Sequence, residues 1–250
     1  MDDDRRQGAV LTHIIRTVAE TGSTNADMLM LARGGAQEGL WLRAERQTSG
    51  RGRQGRVWTS AEGNLYASTL VRLRAIDPQA ATLALVAAIA LEEVVRAYLP
   101  SFSLPGGTVI KWPNDLLLDG AKLSGILLER ADDAVVIGIG VNLAHHPESL
   151  DRPATSLAAH GVTPMPEDFL DTLATAFERW LAIWRNEGLA PIRARWLDRA
   201  HPVGTALTAR LPDGSAIDGL FAGLDSEGAL ILRLADGTSR VIHAADVFLI

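Results

Sequence analysis

The chain has 250 residues, 47% of them hydrophobic, a formal charge of −6 and no cysteine. This suits one large domain, or a domain with a small appendage, and it excludes a disordered chain, disulfides, thiolate metal sites and a cysteine acyl-enzyme. The acidic balance argues against a whole-surface nucleic-acid binder, although a local basic patch can still bind one.

The opening Met1-Asp2-Asp3-Asp4-Arg5-Arg6 lacks the apolar core of a secretory signal. The longest apolar run, Leu83 to Leu91, falls far short of the roughly 20 residues of a membrane span. The expectation is a soluble, cytoplasmic protein without membrane contact. His13 to Ala19 reads as a strand, with its branched residues clustered. Thr24 caps a helix from about Asn25 to Arg33, which Gly34-Gly35 ends. Leu40 to Glu45 is a strand feeding an Arg/Gly-rich loop, and Leu65 to Arg74 is a further strand. Pro78 to Tyr98 reads as an Ala/Leu-rich helix with Pro100 just beyond its end.

The pattern then changes to short apolar runs broken by turn residues. Thr108–Trp112, Leu116–Leu118, Leu123–Glu129 and Ala134–Asn142 form a strand-and-hairpin series. Ala144 to Pro166 reads as a loop with a short helix. Glu167 to Asn186 is amphipathic at helical spacing, Gly188 stops it, and Pro191 opens another helix to about Asp198. From Gly204, four β-like runs separated by regular turns suggest a small barrel or sandwich. It should pack on the main domain, because about 50 residues are marginal alone. The expected division is 1–200 and 201–250. Helices mixed with hairpins favour α+β over a doubly wound sheet.

Several segments can carry chemistry. Gly50-Arg51-Gly52-Arg53-Gln54-Gly55-Arg56 concentrates three arginines and three glycines in an acidic protein. Guanidinium forks suit carboxylate and phosphate oxygens, and glycine N–H groups can add an anion nest. The spacing matches a dinucleotide fingerprint, but no helix follows to receive a pyrophosphate, so that reading fails. Solvated arginines on a hairpin would repel one another without an anion.

Lys111-Trp112-Pro113-Asn114-Asp115 ends a strand in a turn. Its lysine can meet phosphate and its aspartate Mg²⁺; an ordinary turn with exposed charges is the plainer reading. Lys122 enters the next strand, as a ligand group or a common edge charge. Gly138 and Gly140 share one strand face, allowing a flat ligand or close helix packing. Ser23-Thr24-Asn25 is a cap or a set of partners for a polar ring. His145, His146 and Glu148 fit no metal-ligand spacing and read as a solvated loop.

In this order, Glu20 to Asn25, Gln47 with Gly50 to Trp58, Lys111 to Asp115, Lys122 to Glu129 and Gly138 to Asn142 resemble the biotin–protein ligases, or biotin–[acetyl-CoA-carboxylase] ligases. The likeness extends from about Ile14 to the end of the chain. It implies a central mixed β-sheet flanked by helices, related to class II aminoacyl-tRNA synthetases, with an SH3-like C-terminal β-barrel. It also implies ATP-dependent ligation of biotin, through biotinyl-5′-AMP, to a lysine of a biotin carboxyl carrier domain. ATP and Mg²⁺ are the implied cofactors.

By motif position, Ser23, Thr24, Asn25 and Gln47 meet the ureido ring or line its pocket. Gly50, Arg51, Gly52 and Arg53 belong to the loop over biotin and the adenylate. Lys122 lies by the biotin carboxylate, and Gly125, Gly138 and Gly140 form pocket backbone. Arg53, Arg56, Trp58, Lys111, Asn114 and Asn142 attend ATP or the adenylate. Asp115 helps place Mg²⁺. Arg53, Lys111 and Lys122 are the catalytic candidates.

Two departures accompany the resemblance. Only about a dozen residues precede the first strand, too few for the DNA-binding domain of some members, so no operator binding is expected. Gln54 stands where an arginine is common in the family. Many members form homodimers, but the sequence has no self-evident interface. A lipoate ligase is the nearest alternative, and its Arg-Arg-x-x-Gly-Gly-Gly segment is absent. A nucleic-acid-binding module lacks interleaved aromatics and leaves the lysines and paired glycines unexplained.

Overall fold

A computed structural model describes residues 13–99, 107–148 and 153–249. Met1–Arg6, Pro100 and Ile250 lie outside the described residues. Two sheets organise the chain. The larger has seven strands: β1 (Ile14–Thr21), β2 (Leu40–Gln47), β3 (Leu65–Arg72), β4 (Thr108–Lys111), β5 (Asp115–Leu118), β6 (Ala121–Ala131) and β7 (Ala134–Val141). Their order is β1-β2-β3-β7-β6-β5-β4. β1 and β2 run parallel and the other neighbours antiparallel, so the sheet is mixed as expected.

Period-two alternation gives this sheet two different faces. On one, Trp41, Leu65, Val71, Val135, Ile137 and Ile139 join the main core. Helices α2 (Leu83–Tyr98), α3 (Pro166–Glu187) and α4 (Leu189–Leu197) cover that face. α2 is apolar nearly all round because the sheet lies on one side of it and helices α3 and α4 on the other. The other face carries α1 (Thr24–Arg33), whose Met28 and Ala32 pack on Leu42, Leu70 and Val136.

The C-terminal sheet comprises β8 (Ala206–Arg210), β9 (Ala216–Leu224), β10 (Leu230–Arg233), β11 (Ser239–Ile242) and β12 (Asp246–Leu249). Its order, β11-β10-β9-β8-β12, leaves an open antiparallel sheet with two edges. The expected four runs are therefore five strands, and closure into a barrel is not observed. The last strand has a weak sequence signal because it is only four residues long. Leu207, Phe221, Leu224, Leu230 and Val247 enter the same core as α2 and α4. Trp196 lies 6.4 Å from Phe221, ring to ring.

Other boundaries shift for local reasons. Ser23, not Thr24, is the N-cap of α1, and Thr24 turns its N–H and hydroxyl to Gln47. The Pro78 helix begins with a 3-10 turn at Ala80–Thr82, where the Thr82 hydroxyl donates to the Gln79 carbonyl. α4 starts at Leu189, two residues before Pro191. Lys122 enters a strand as expected, and Asp115 opens β5 one residue before the expected run. No helix among the described residues is long and apolar enough to cross a membrane.

Candidate active site

The α1 face of the large sheet changes character along its strands. In register across β3 and β7, Leu70 faces Val136, Ser68 faces Gly138 and Tyr66 faces Gly140. The bulky pair sits beneath α1. Beyond it β7 carries only glycine on this face, and the sheet becomes the floor of a cavity of about 870 Å³. Gly125 on β6 is the cross-strand neighbour of Gly140 and continues that floor.

One end of the cavity is uncharged and polar. The Thr24 N–H and hydroxyl both donate to Gln47 Oε1, at 2.9 and 3.2 Å. The Gln47 amide donates to Ser60 Oγ at 3.2 Å. The Ser68 hydroxyl lies 2.8 Å from Thr24 Oγ1 and 2.7 Å from Asn25 Oδ1. Asn25 Nδ2 donates to Glu129 at 2.8 Å. Ser23, Thr24, Asn25 and Ser68 are all buried, so this cluster is held rigidly by its own bonds. Burial also pushes the Tyr66 hydroxyl up to about 12, which keeps it neutral.

The Arg/Gly segment is a hairpin-like loop. Trp58 N–H donates to the Gly50 carbonyl at 2.9 Å, Arg51 bridges Val57, and Gly52 N–H donates to the Arg56 carbonyl at 2.8 Å. At its tip Gln54 has φ 56° and Gly55 φ 71°, a left-handed pair inside a three-residue 3-10 turn. No helix follows, in accord with the rejected dinucleotide reading. The loop lays the Trp58 ring on the glycine floor. A Cβ on Gly140 would come within 2.6 Å of that ring, and one on Gly125 within 3.2 Å. Trp58 Nε1 is buried and has no hydrogen-bond partner among the described residues. At Gly50, a Cβ would meet the Trp58 carbonyl at 2.6 Å, so the loop's base also requires glycine.

The other end is charged. β4 and β5 pair Lys111 with Asp115, and β5 and β6 pair Asp115 with Gly125. Lys122 Nζ lies 2.6 Å from Asp115 Oδ1 and 5.6 Å from the Trp58 ring centroid. Asn114 donates to the Ile126 carbonyl at 2.6 Å and accepts from Arg53 at 3.4 Å. Burial pushes the Arg53 guanidinium down from its ordinary value, while Asp246 and Asp115 oppose that shift. Arg210, Pro212, Asp246 and Phe248 of the C-terminal sheet close this end. Six cationic side chains line the cavity against two carboxylates, in a chain of net charge −6. The cavity is therefore cationic at one end and uncharged and polar at the other.

Every site residue expected from the sequence except Gly50 lines this cavity, and Gly50 anchors the base of its loop. Asn142 also braces the segment behind the wall, donating to the Thr155 carbonyl at 2.9 Å. His145 and His146 stay apart from it: His146 pairs with Ser156 at 3.0 Å, and no group of metal-ligating side chains forms among the described residues.

A model of the biotin/lipoate A/B protein ligase family matches residues 23–142, and one of the biotin protein ligase C-terminal domain matches 204–250. The biotin–[acetyl-CoA-carboxylase] ligase of Paracoccus denitrificans is 42% identical over 92% of this chain and 98% of its own. The chain belongs to the biotin protein ligase family. Biotin protein ligase structures share its fold. That of Aquifex aeolicus, in complex with biotin and ATP, superposes with a TM-score of 0.82 at 24% identity, over 94% of this chain and 99% of its own. That of Leishmania major, in complex with biotinyl-5-AMP, gives 0.63 at 27%, over 92% and 98%.

In this biotin protein ligase fold, sequence reasoning missed Ser68, Glu129, Arg210 and Asp246. Ser68 left only a weak signal, as one of several polar residues in a mainly apolar strand. Asp246 left none, because its partners lie 190 residues away.

Proposed function

We propose that this chain joins biotin to ATP as biotinyl-5′-AMP and then transfers the biotinyl group to a lysine of a biotin carboxyl carrier domain. One observation carries the reading: a rigid, neutral hydrogen-bonding cluster and a cation cluster stand at opposite ends of one glycine floor. Biotin has that polarity, with a ureido ring at one end and a carboxylate at the other. Ser23, Thr24, Asn25 and Gln47 then meet the ring. Gly125, Gly138 and Gly140 are the floor, and Gly50, Arg51 and Gly52 carry the covering loop. A dithiolane has no donors or acceptors to match this polar end, which disfavours lipoate.

The chemistry needs no protein nucleophile. A biotin carboxylate oxygen attacks the α-phosphorus of ATP, the bond to the bridging oxygen breaks, and pyrophosphate departs with that electron pair. The carrier lysine's amine then attacks the anhydride carbonyl and AMP leaves. Two anions must meet in the first step. Lys122 sits where it can hold the carboxylate, while Arg53 and Lys111 offset charge on the phosphate oxygens. Arg56, Asn114 and Asn142 serve the adenylate side, and Trp58 spans floor and adenylate. The covering loop excludes water from the anhydride.

Asp115 is the carboxylate we assign to Mg²⁺. One carboxylate without a cage of ligands fits an ion held mainly by phosphate oxygens. Such an ion supplies positive charge to those oxygens when bound. We read residues 1–200 as the catalytic unit and 201–250 as the C-terminal unit, the latter supported by the family match from residue 204.

The test is incubation with ATP, Mg²⁺ and labelled biotin, followed by detection of biotinyl-AMP and of label on a carrier domain. Turnover of lipoate in place of biotin overturns the substrate assignment.

A further inference from the structure

The Arg/Gly loop meets the C-terminal sheet at one end of the cavity. Asp246, the first residue of β12, receives Arg56 Nη2 and lies 3.7 Å from Arg53 Nη1. Arg53 also donates to the Ala245 carbonyl at 3.3 Å and to Asn114 of the β4–β5 turn at 3.4 Å. Its guanidinium thus bridges the loop, the β4–β5 turn and the start of the last strand at the cation end of the cavity. Asp246 is mostly buried, with 16% of its side chain exposed, so its contact with the half-buried Arg53 is partly shielded, while that with Arg56 lies at the surface.

We propose that Asp246 is a positioning residue: through Arg53 and Arg56 it sets the loop's arginines in place before the nucleotide arrives. Three like charges on one short loop repel one another, and a glycine-rich backbone resists that poorly. A fixed carboxylate from a strand removes part of the repulsion and restricts both side chains, lowering the ordering cost at binding. The C-terminal sheet acts on the reaction without touching the reacting atoms.

The experiment compares wild type with Asp246→Asn and Asp246→Glu in two assays. Trypsin cleavage after Arg51, Arg53 and Arg56 is followed without ligands. The ATP dependence of biotinyl-AMP formation is then measured; this second arm rests on the proposed function, and the first does not. We expect Asp246→Asn to speed loop cleavage and to raise the KM for ATP about fivefold, the scale of a partly shielded ion pair, with a smaller change in kcat. Asp246→Glu should recover most of both. Arg56→Gln, an exposed change that threatens no folding, should speed cleavage after Arg51 and Arg53. A lowered KM makes Asp246 a competitor of the nucleotide and overturns the proposal. Unchanged cleavage overturns it too, as does faster cleavage with an unchanged KM. If wild type forms no biotinyl-AMP, the function is wrong, while the cleavage arm still reads Asp246.

Discussion

Gly138 and Gly140 lie on one strand face two residues apart, yet the structure predicts opposite consequences for replacing them with alanine. A Cβ on Gly138 falls 2.1 Å from Asn25 Oδ1 and 2.7 Å from its Cγ. Asn25 is buried and bonded to both Ser68 and Glu129, so it has nowhere to go. Forcing it aside costs about 1–3 kcal/mol of overpacking, plus about 1 kcal/mol for each of two hydrogen bonds. Alanine returns roughly 0.5–1 kcal/mol of chain entropy. The net loss is about 2–4 kcal/mol, or about 4–16 °C in Tm for a chain of this size.

A Cβ on Gly140 meets the Trp58 ring at 2.6–2.8 Å, also a clash. Trp58, however, belongs to a half-exposed loop that can lift. Gly140→Ala should therefore melt within about 2 °C of wild type. Its cost appears in the cavity instead, where about 1–3 kcal/mol of overpacking raises the KM for biotin roughly 10- to 100-fold. Thermal melts and biotin-dependent pyrophosphate release measure the two effects. Gly138→Ala melting like wild type, or Gly140→Ala melting earlier than Gly138→Ala, refutes the reasoning.

Three further outcomes are expected. Lys122→Met should slow adenylate formation by about 10²–10³, the usual cost of one charge-stabilising donor, in a single-turnover assay of biotinyl-AMP. A rate within threefold of wild type counts against its role. Burial and the neighbouring Lys111 charge push His201 below its ordinary value of 6.5. The unfolded chain therefore takes up a proton first as pH falls, and His201 lowers stability progressively below that ordinary value. The Tm of wild type relative to His201→Gln should fall between pH 7.5 and 5.5, and a constant difference refutes the assignment. Trp196→Ala, at a fully packed junction between α4 and Phe221, should cost about 3–5 kcal/mol. Its Tm should drop by about 6–20 °C; a drop under 3 °C shows that the C-terminal sheet is not anchored there.

Much of the fold is legible in the sequence because its elements have local signals. The 22-residue α3 shows its apolar stripe, and the hairpins of β4 to β7 announce themselves by turn residues. Departures gather at element ends, where local pattern and tertiary demand compete. Thr24 has the chemistry of a cap, but Gln47 from the next strand claims its donors. Asp115 has the chemistry of a turn residue, but strand pairing reaches it, and the fold draws Lys122 of the next strand against it.

The chemical character of this protein is written in its residues: an acidic chain with one arginine-glycine loop, two lysine-bearing strand ends and paired glycines on one strand face. Those features are short-range, and their physics is that of a single turn or strand. Only the tertiary structure decided that Ser68 completes the polar cluster, that Trp58 rests on Gly125 and Gly140, and that Asp246 holds the loop's arginines. Each of those contacts depends on strand order and register. Order and register follow from burying both faces of a seven-stranded sheet at once, a condition that no stretch of ten residues contains.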